Sequence, residues 1–362
     1  MNKKARVVVA MSGGVDSSVA AALLKQDGYE VIGVTMQIWP SDKAEPETVR
    51  FGGCCGIGAV EDAKRVAYRL GIPHYVMNFR EVFAQKVIAD FCQEYRRGRT
   101  PNPCIRCNQH IKFAALLDRA KELGAYFVAT GHYAIIDTVG GRYVLSKGAD
   151  LSKDQSYVLY TLTQQQMERT LLPVGGLTKT EVRSIARELD LPVANRPESQ
   201  EICFVPNDDY GGFLRERGVG TISPGPITDK RGKVLGQHSG IVYYTIGQRR
   251  GLGIGTAGPL YVTDIDPVRN VVVVGTKDET YRGELTASEL NWITVTRLEN
   301  PVSLKAKIRY RHPEAEAEII PIGGEKVRVK FKEPQMAITP GQAVVFYEGN
   351  NVVGGGVIDR TD

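Results

Sequence analysis

The first 135 residues alternate between short apolar runs and amphipathic helical patterns, and this alternation constrains the fold more than any other feature. Apolar, β-branched runs predict buried strands at 6–11, 30–39, 73–79 and 125–129. Helical patterns follow them at 16–26, 59–70, 81–95 and 111–123. Strands that alternate with helices need crossover connections, so the pattern predicts an α/β domain with a parallel sheet and helices on both faces.

The pattern changes after about residue 205, where glycine, proline and short Val, Ile and Tyr runs dominate. Three such runs, at 240–245, 260–265 and 271–274, predict a small β-rich central domain. From 285 onward, turn signals recur at about 8–12-residue spacing, which is typical of a small β-barrel. We therefore expect three domains: an N-terminal catalytic domain at 1–205, a central domain at 206–284 and a C-terminal β-barrel at 285–362.

Charge and hydropathy indicate the cellular location of such a chain. The 46 Lys and Arg residues exceed the 41 Asp and Glu residues by only five, which is a weak basic bias. Basic residues cluster locally in runs at 96–99, 248–250 and 305–311. The apolar run at 7–11 is too short for a signal peptide, and no stretch approaches the length of a membrane span. We expect a cytoplasmic protein without a membrane partner, in which six cysteines serve packing, redox, metal or nucleophilic roles.

A glycine- and serine-rich loop, MSGGVDSS, lies between the first predicted strand and helix. Its residues are Met11, Ser12, Gly13, Gly14, Val15, Asp16, Ser17 and Ser18. The glycines let backbone N–H groups point inward, the serines add hydroxyl donors, and a helix N-terminus attracts anions, which together predict a pyrophosphate pocket. The loop lacks the Gly-Lys-Ser/Thr of a Walker motif. The alternative is a tight strand-to-helix turn in which Asp16 caps the helix. The string S-G-G-x-D-S resembles the PP-loop ATP pyrophosphatases, which implies a fold like the adenine nucleotide α-hydrolases, with ATP and Mg²⁺ as ligands.

A second segment, TPNPCIRCN at 100–108, precedes the helix predicted at 111–123. The prolines favour an extended chain, Asn108 is a candidate helix cap, and Cys107 would then lie at a helix N-terminus beside Arg106, where thiolate is favoured. Cys203 is a second candidate thiol. A Cys-x-x-Cys pair also suits zinc or iron. We interpret Cys54, Cys55 and Cys92 as packing residues, and the alternative for the adjacent Cys54 and Cys55 is that they are loop residues or redox-sensitive thiols.

Six motifs in order along the chain resemble the tRNA-specific 2-thiouridylase family (MnmA type): MSGGVDSS, TPNPCIRCN, ATGHYA, KDQSYVLY, ESQEICFV and KIRYRH. The resemblance covers essentially the whole chain. It implies a sulfurtransferase that adenylates the carbon-2 oxygen of the wobble uridine (U34) of tRNA and replaces it with sulfur, releasing AMP and pyrophosphate.

The same resemblance implies roles for individual residues. Met36 and Gly131 would contact the adenosine part of ATP, Cys107 would be the nucleophile, and Cys203 would carry a persulfide. The target base would meet Asn102, Pro103 and Cys104. Contacts to the tRNA anticodon stem-loop would come from His132, Lys153, Asp154, Gln155, Arg309, Tyr310 and Gln342. Sulfur would arrive from a persulfide sulfur-carrier protein or a cysteine desulfurase.

One position departs from the family pattern, because Cys104 stands where many members carry an acidic residue. Cys104, Cys107 and Cys203 would suit a [4Fe-4S] cluster with one open iron that delivers sulfide. We expect the persulfide route, with the cluster as the alternative. Two rival functions are another PP-loop ligase, which needs an ammonia source, and an ATP-gated RNA-binding protein without catalysis.

Overall fold

The computed structural model describes residues 4–39, 57–197, 202–205, 209–218, 223–255 and 258–361. Cys54 and Cys55 lie outside these residues. The chain divides into two compact units. The first unit comprises Met1–Ile88, Pro103–Asp208 and Gly349–Val352, and the second comprises Ala89–Asn102, Asp209–Glu348 and Val353–Asp362.

The first unit is built on a parallel sheet of five strands in the order β3-β2-β1-β4-β7. The strands of this unit are β1 (Lys4–Ala10), β2 (Tyr29–Gln37), β3 (His74–Asn78), β4 (Phe127–Ala129), β5 (Ala134–Val139), β6 (Arg142–Lys147) and β7 (Thr170–Leu171), of which β5 and β6 lie outside the parallel sheet. The helices as far as residue 188 are α1 (Val15–Gln26), α2 (Ile57–Leu70), α3 (Arg80–Phe83), α4 (Ala89–Arg96, in the second unit), α5 (Pro103–Cys107), α6 (Leu116–Glu122), α7 (Gln164–Glu168) and α8 (Lys179–Glu188). Further segments are π-helices at Ala84–Ile88 and Asn108–Ala115 and a 3₁₀-helix at Ser156–Leu159.

Strand β1 is buried on both faces of this sheet. Val7, Val8 and Val9 are all fully buried, although successive side chains of a strand point to opposite faces. Val7 and Val9 share a core cluster with Val19 of α1 and Val182 of α8. Helices therefore cover the sheet as predicted, and the continuous apolar run is the reason that β1 lies at its centre.

A hairpin of β5 and β6 follows β4, and the sequence reasoning missed it. The strands pair antiparallel from Ala134–Lys147 to Val139–Arg142. Gly140 and Gly141 connect them with φ angles of +58° and +78°, the left-handed values that a tight type I′ turn needs. The Gly140-Gly141 pair between two runs that contain β-branched residues could therefore have predicted the hairpin.

The second unit contains a four-stranded sheet and a six-stranded barrel. The sheet strands are β8 (Gly225–Thr228), β9 (Val234–His238), β10 (Tyr261–Asp266) and β11 (Val271–Gly275), in the order β10-β11-β8-β9. Helix α9 spans Tyr210–Glu216, and 3₁₀-helices span Ile241–Tyr243 and Asp278–Thr280. The interpretation of residues 240–245 as part of the β structure was wrong. The Tyr243 and Tyr244 amides donate to the carbonyls of Gly240 and Ile241 in turns and not to a neighbouring strand.

The barrel strands are β12 (Tyr281–Trp292), β13 (Val302–Lys307), β14 (Ala315–Pro321), β15 (Val327–Met336), β16 (Ala343–Glu348) and β17 (Asn351–Thr361). They follow the order β12-β15-β14-β13-β16-β17, and β12 pairs with β17 to close the barrel. Along β15, Val327, Val329 and Phe331 are buried while Arg328 and Lys330 are exposed. This strict alternation is what a barrel with one core face requires, and it confirms the predicted C-terminal barrel.

No helix among the described residues has the length and apolar character that crossing a bilayer requires.

Helix α8 begins with a capping box. The Thr178 hydroxyl accepts the Glu181 amide, and the Thr178 amide and hydroxyl both donate to the Glu181 carboxylate. These donors, the amide first, lower the pKa of Glu181. The box fixes the first turn of α8, which carries Lys179.

Replacing this cap should destabilise the first unit. We expect Thr178→Ala to lower the free energy of unfolding by about 1 kcal/mol, because the orphan amides of the first turn lose their acceptor. Thr180→Ala is the matched control, since Thr180 is exposed in the same turn and alanine is the better helix former. Urea unfolding followed by circular dichroism measures both variants. Equal stability of the two variants would contradict a role for the cap.

Candidate functional site

The glycine- and serine-rich loop lies at the carboxyl end of β1, at the edge where parallel sheets bind ligands. The Met11 amide donates to the Val34 carbonyl at 2.8 Å, and the Thr35 hydroxyl donates to the Met11 carbonyl at 2.8 Å. Two residues of β2 therefore fix the point at which the chain leaves the sheet.

The serine hydroxyls of the loop partly bond within the loop itself. Ser17 Oγ accepts the Ser12 amide at 3.2 Å and donates to the Gly14 carbonyl at 3.1 Å, and Ser18 Oγ donates to the same carbonyl at 2.8 Å. Ser18 is fully buried, whereas Ser12 and Gly14 are half-buried. Ser12 is therefore the hydroxyl best placed to meet a ligand, and Ser17 and Ser18 hold the turn.

No side chain caps the N-terminus of α1. The N-cap is Gly14 in an extended conformation, and it makes no side-chain cap bond. Asp16 instead lies in the first turn, so its interpretation as a helix cap was wrong. A helix N-terminus without a capping side chain offers its amides to an anion.

Two glycines are required by close approach of backbone to backbone. Gly13 has φ +69°, and a Cβ there would lie 2.4 Å from the Ala59 carbonyl oxygen. A Cβ on Gly131 would lie 2.6 Å from both the Asp16 carbonyl carbon and the Ser17 nitrogen. The connection after β4 therefore packs directly on the first turn of α1, which only glycine permits.

Asp16 is bound by two side chains that the sequence did not assign to the loop. Lys179 Nζ lies 2.7 and 2.8 Å from its two carboxylate oxygens, and the Tyr133 hydroxyl donates to Oδ1 at 2.6 Å. Lys179 is only 9% exposed. Both residues lie more than 100 positions from Asp16 in the sequence. Sequence spacing alone therefore could not predict that they contact it.

Arg196 contacts the loop from another direction. Its Nη1 donates to the Gly13 carbonyl at 2.8 Å and pairs with Asp62 of α2. Arg183 of α8 in turn donates to the carbonyls of Ala194 and Arg196 at 2.9 and 3.3 Å. The chain that leads toward Cys203 is thus anchored to the loop.

The predicted adenosine contacts flank the loop. Met36 is 7% exposed on β2 and pairs with Met77 of β3, while Gly131 follows β4. Beside Met36, the Thr35 hydroxyl lies 2.9 Å from His74 Nε2. Burial and the charge of Lys64 lower the pKa of His74, so the ring beside this edge is neutral.

Cys104 and Cys107 lie within a helix. The sequence predicted an extended chain before Asn108, but α5 begins at Pro103 and continues through the π-helix into α6, so this expectation was wrong. Proline suits a first helical position because its missing N–H needs no partner there. The Asn108 side chain donates to the Val158 carbonyl at 2.9 Å and caps nothing. Cys104 is exposed in the first turn, and Cys107 lies half-buried one turn later.

Cys203 is half-buried in the described segment 202–205. Its neighbour Phe204 is 2% exposed, and the Phe204 ring packs edge-on against Phe83 with centroids 5.5 Å apart. Cys104, Cys107 and Cys203 all lie in the first unit. Within the described ranges, no three His, Cys, Asp or Glu side chains form a group that could hold a metal ion, so these thiols do not form a ready ligand set.

Predicted tRNA contacts in the first unit mostly stabilise a loop. The buried Asp154 carboxylate accepts the amides of Gly148 and Ser156, and Gln155 exchanges hydrogen bonds with the Tyr133 backbone. Lys153 is half-buried beside them.

His132 is 7% exposed, and its Nδ1 lies 2.7 Å from the Thr130 hydroxyl. Burial first, and then the charge of Lys112, hold the pKa of His132 well below its usual value.

The remaining candidates lie in the second unit. Gln342 Nε2 donates to the carbonyls of Thr100 and Pro101 at 2.9 and 3.2 Å, next to Asn102. Arg309 Nη2 donates to the Met336 carbonyl at 2.9 Å, and the half-buried Tyr310 follows it in the turn after β13. Gln342 thus secures the segment that leads to the predicted base-contacting residues.

Three family models match the chain in succession. One described as a tRNA methyl transferase HUP domain matches residues 5–207, one described as a tRNA methyl transferase PRC-barrel domain matches 212–276, and one described as an aminomethyltransferase beta-barrel domain matches 282–358.

Full-length relatives are similar to this chain. The tRNA-specific 2-thiouridylase MnmA 2 of Caldanaerobacter subterraneus subsp. tengcongensis is 59% identical over 99% of this chain and 99% of its own length. The tRNA-specific 2-thiouridylase MnmA of Symbiobacterium thermophilum is 57% identical over 98% and 92%, and that of Acetivibrio thermocellus 54% identical over 99% and 100%.

The close approach at Gly131 makes a prediction for nucleotide binding. We expect Gly131→Ala to weaken ATP binding by about tenfold or more, because the new methyl group must push the first turn of α1 away by several tenths of an ångström. Gly176→Ala is the matched control, since nothing lies within 4 Å of its added Cβ. Isothermal titration calorimetry with ATP compares the two variants, and equal affinities would refute the role assigned to Gly131.

The neutral ring of His132 makes a prediction for pH dependence. Below about pH 6.5 the unfolded chain binds a proton that the native ring refuses, so stability should fall with decreasing pH by up to about 1.4 kcal/mol per pH unit. His132→Gln should flatten this slope between about pH 6.5 and 5. His312→Gln should flatten it less, because His312 is half-buried in the other unit. Urea unfolding at several pH values measures the slopes, and an unchanged slope in His132→Gln would contradict the assignment.

Proposed function

Because the chain belongs to the family of tRNA-specific 2-thiouridylases, we propose that it replaces the carbon-2 oxygen of the wobble uridine (U34) of tRNA with sulfur. It is then an ATP-dependent tRNA-uridine 2-sulfurtransferase that releases AMP and pyrophosphate. The observation that carries the proposal is the arrangement of the loop Met11–Ser18, an uncapped helix N-terminus beside a buried lysine, in the unit that also holds Cys107 and Cys203. The cytoplasm is its proposed location.

In this proposal the loop binds ATP. The amides at the start of α1 and the Ser12 hydroxyl receive the phosphates, while Met36 and Gly131 border the adenosine part. The described residues fit Mg²⁺ only together with phosphate oxygens, because Asp16 is the one carboxylate in the loop's sequence and magnesium commonly uses one or two carboxylates with substrate phosphates and water. Bound magnesium would neutralise phosphate charge and favour departure of pyrophosphate.

The proposed reaction begins with attack of the uridine carbon-2 oxygen on the α-phosphorus of ATP, and pyrophosphate leaves. The terminal sulfur of a Cys203 persulfide then attacks carbon 2, and AMP leaves with the bonding electron pair. The Cys107 thiolate next attacks the Cys203 sulfur, so the base departs with its thiocarbonyl and a Cys107–Cys203 disulfide forms. A dithiol reductant restores both thiols, and a persulfide carrier protein or a cysteine desulfurase reloads Cys203.

Two features of the structure support Cys107 and Cys203 in these roles. Phe204 is anchored on Phe83, which fixes one end of the segment that bears Cys203. Cys107 lies half-buried on the helix that begins at Pro103, one turn after Cys104, which is closer to the N-terminus and more exposed. Cys104 is therefore proposed to contact the target base together with Asn102 and Pro103.

The cluster alternative finds less support. A [4Fe-4S] cluster needs its cysteine ligands close together, and Cys104, Cys107 and Cys203 do not form such a group.

Recognition of tRNA is proposed to use residues of the N-terminal domain, at 1–205, and of the C-terminal β-barrel, at 285–362. Single-stranded bases are read by stacking on aromatic rings and by Arg contacts, which suits Arg309 and Tyr310 after β13. Lys153 and Gln342 would contact the anticodon stem-loop directly. Asp154, Gln155 and His132 would contribute by holding the loop and the sheet edge behind them.

The proposed transfer of sulfur through Cys203 and Cys107 can be tested separately from ATP binding. We expect Cys107→Ser and Cys203→Ser each to abolish thiolation of unmodified tRNA while ATP binding persists, because each variant lacks one sulfur of the relay. Cys92→Ser is the control and should stay active, since burial raises the pKa of Cys92 and keeps it a neutral packing thiol in the other unit. Thiolated tRNA is measured by mass spectrometry of nucleosides.

The same assay separates the two sulfur sources. Protein purified without oxygen is assayed for iron and acid-labile sulfide, and then for thiolation from a persulfide donor. Thiolation by iron-free protein supports the relay. Thiolation that requires iron and stops after chelation, or persistent turnover by Cys203→Ser, would overturn it.

A further inference from the structure

His74 is a histidine beside the loop Met11–Ser18 that the proposed reaction does not use. It is the first residue of β3, and it pairs with Gly33 of β2, whose amide donates to the Pro73 carbonyl at 2.9 Å. The His74 ring is half-buried, and its Nε2 lies 2.9 Å from the Thr35 hydroxyl. The ring therefore contacts the strand that anchors the start of the loop.

The direction of each hydrogen bond along this contact follows by elimination. The Met11 carbonyl can only accept, so the Thr35 hydroxyl donates its single proton there, at 2.8 Å. Thr35 Oγ1 must then accept from His74 Nε2, which therefore carries a proton. The other ring nitrogen, Nδ1, is buried and has no hydrogen-bond partner among the residues that the structure describes. The hydrogen bond to Thr35 is therefore the one that orients the ring within this part of the chain.

The peptide group between Met11 and Ser12 is held at both ends. Its carbonyl accepts from Thr35, and its N–H, on Ser12, donates to Ser17 Oγ at 3.2 Å. Because a peptide group is planar, the two bonds together fix its orientation. Ser17 Oγ in turn donates to the carbonyl of Gly14, the N-cap of α1, at 3.1 Å. A continuous path of hydrogen bonds therefore runs from the histidine ring to the helix N-terminus.

Packing brings the same ring against the side chain of Met11. A Cβ on Gly33 would lie 2.5 Å from Met11 Sδ and 3.1 Å from His74 Cδ2. The thioether and the edge of the ring thus occupy the space that a side chain at Gly33 would fill. Both the backbone and the side chain of the first loop residue therefore depend on what stands at position 74.

Burial increases the energetic weight of this path. Thr35 is fully buried and Met11 is 1% exposed. In a low-dielectric interior, a hydroxyl that accepts one hydrogen bond becomes a better donor of the next. Without the donor on His74, the buried Thr35 oxygen would lose a partner that water does not replace, and its bond to Met11 would weaken.

We propose that His74 is a positioning residue of the nucleotide loop, which acts through Thr35 on the peptide group after Met11 and so sets the amides that receive the phosphates of ATP. This inference rests on the proposed function only in taking the loop to bind ATP. It assigns a role to a residue outside the loop motif. Displacement of this peptide group lowers the affinity for the nucleotide and leaves the cysteines and the proposed tRNA contacts in place.

The test measures kcat and KM for ATP in the release of pyrophosphate that depends on unmodified tRNA. His74→Leu removes the donor and should raise KM for ATP about 3- to 10-fold with kcat unchanged, because the lost interaction acts on bound ATP in the ground state and the transition state alike. A variant that is only partly folded contains less active enzyme, which lowers the apparent kcat and leaves KM unchanged. The KM for tRNA should not change in His74→Leu.

The length of the replacement side chain shows which ring nitrogen matters. His74→Gln can place an amide N–H near the position of Nε2 and should return KM for ATP to within about twofold of the wild type. His74→Asn carries the same amide but reaches only the position of Nδ1, so it should behave like His74→Leu. Tyr75→Leu is the matched control, because Tyr75 follows on β3, points to the opposite face and is 48% exposed.

A double-mutant cycle tests whether His74 acts through Thr35. Thr35→Val keeps the shape of the side chain but neither accepts nor donates, so it should raise KM for ATP at least as much as His74→Leu. The double variant should be no worse than Thr35→Val alone, because both changes interrupt the same path. The melting temperature of every variant identifies any that fails to fold. If His74→Leu does not fold, the comparison of His74→Gln with His74→Asn still decides the matter.

Three outcomes would overturn the inference: a wild-type KM for ATP in a folded His74→Leu protein, equal KM values for His74→Gln and His74→Asn, or additive effects in the double variant. Absence of tRNA-dependent pyrophosphate release by the wild type would instead overturn the proposed function, so the two failures are distinguishable.

Discussion

Three parts of the first unit converge on the first turn of α1. Gly131 brings the connection after β4 into backbone contact with Asp16 and Ser17, and Lys179 and Tyr133 bind the Asp16 carboxylate. Because the N-cap carries no side chain, these contacts fix the turn without covering its amides. The remaining structure of the unit serves this arrangement: the buried strand β1 delivers the loop, β2 anchors it, and the capped helix α8 supplies the cation.

The conformation of the backbone also determines where Cys104 and Cys107 lie. Helix α5 starts at Pro103, so Cys104 and Cys107 lie one turn apart on a helix rather than on an extended segment. The π-helix that follows directly after Cys107 widens the turn, and Asn108 uses its side chain to bind the Val158 carbonyl. Such π segments are rare and cluster at functional sites. Here the widened turn comes directly after the proposed nucleophile, which ties the position of Cys107 to the packing of the 3₁₀-helix Ser156–Leu159.

The sequence predicted the parallel sheet, the barrel and the loop because each depends on local periodicity or on adjacent residues. Lys179 escaped prediction because no local pattern links it to the loop, and the fold alone brings it to Asp16. The predicted start of the helix that carries Cys104 and Cys107 was wrong for a different reason. A proline restricts the residue before it, but Pro103 itself has a backbone angle that suits a first helical turn. Contacts between distant elements, such as that of Gly131 with Ser17, leave no trace in local patterns.

The descriptions of two matching family models mention methyl transfer, and the loop argues for a different ligand. A sulfonium methyl donor carries positive charge at its reacting atom, and at this loop it would meet the positive end of α1. A polyphosphate carries the opposite charge, and exposed amides at a helix N-terminus bind phosphate oxygens directly. Electrostatics therefore supports the proposal that this loop binds a nucleoside triphosphate, and the proposed route of sulfur runs through the cysteines of the same unit.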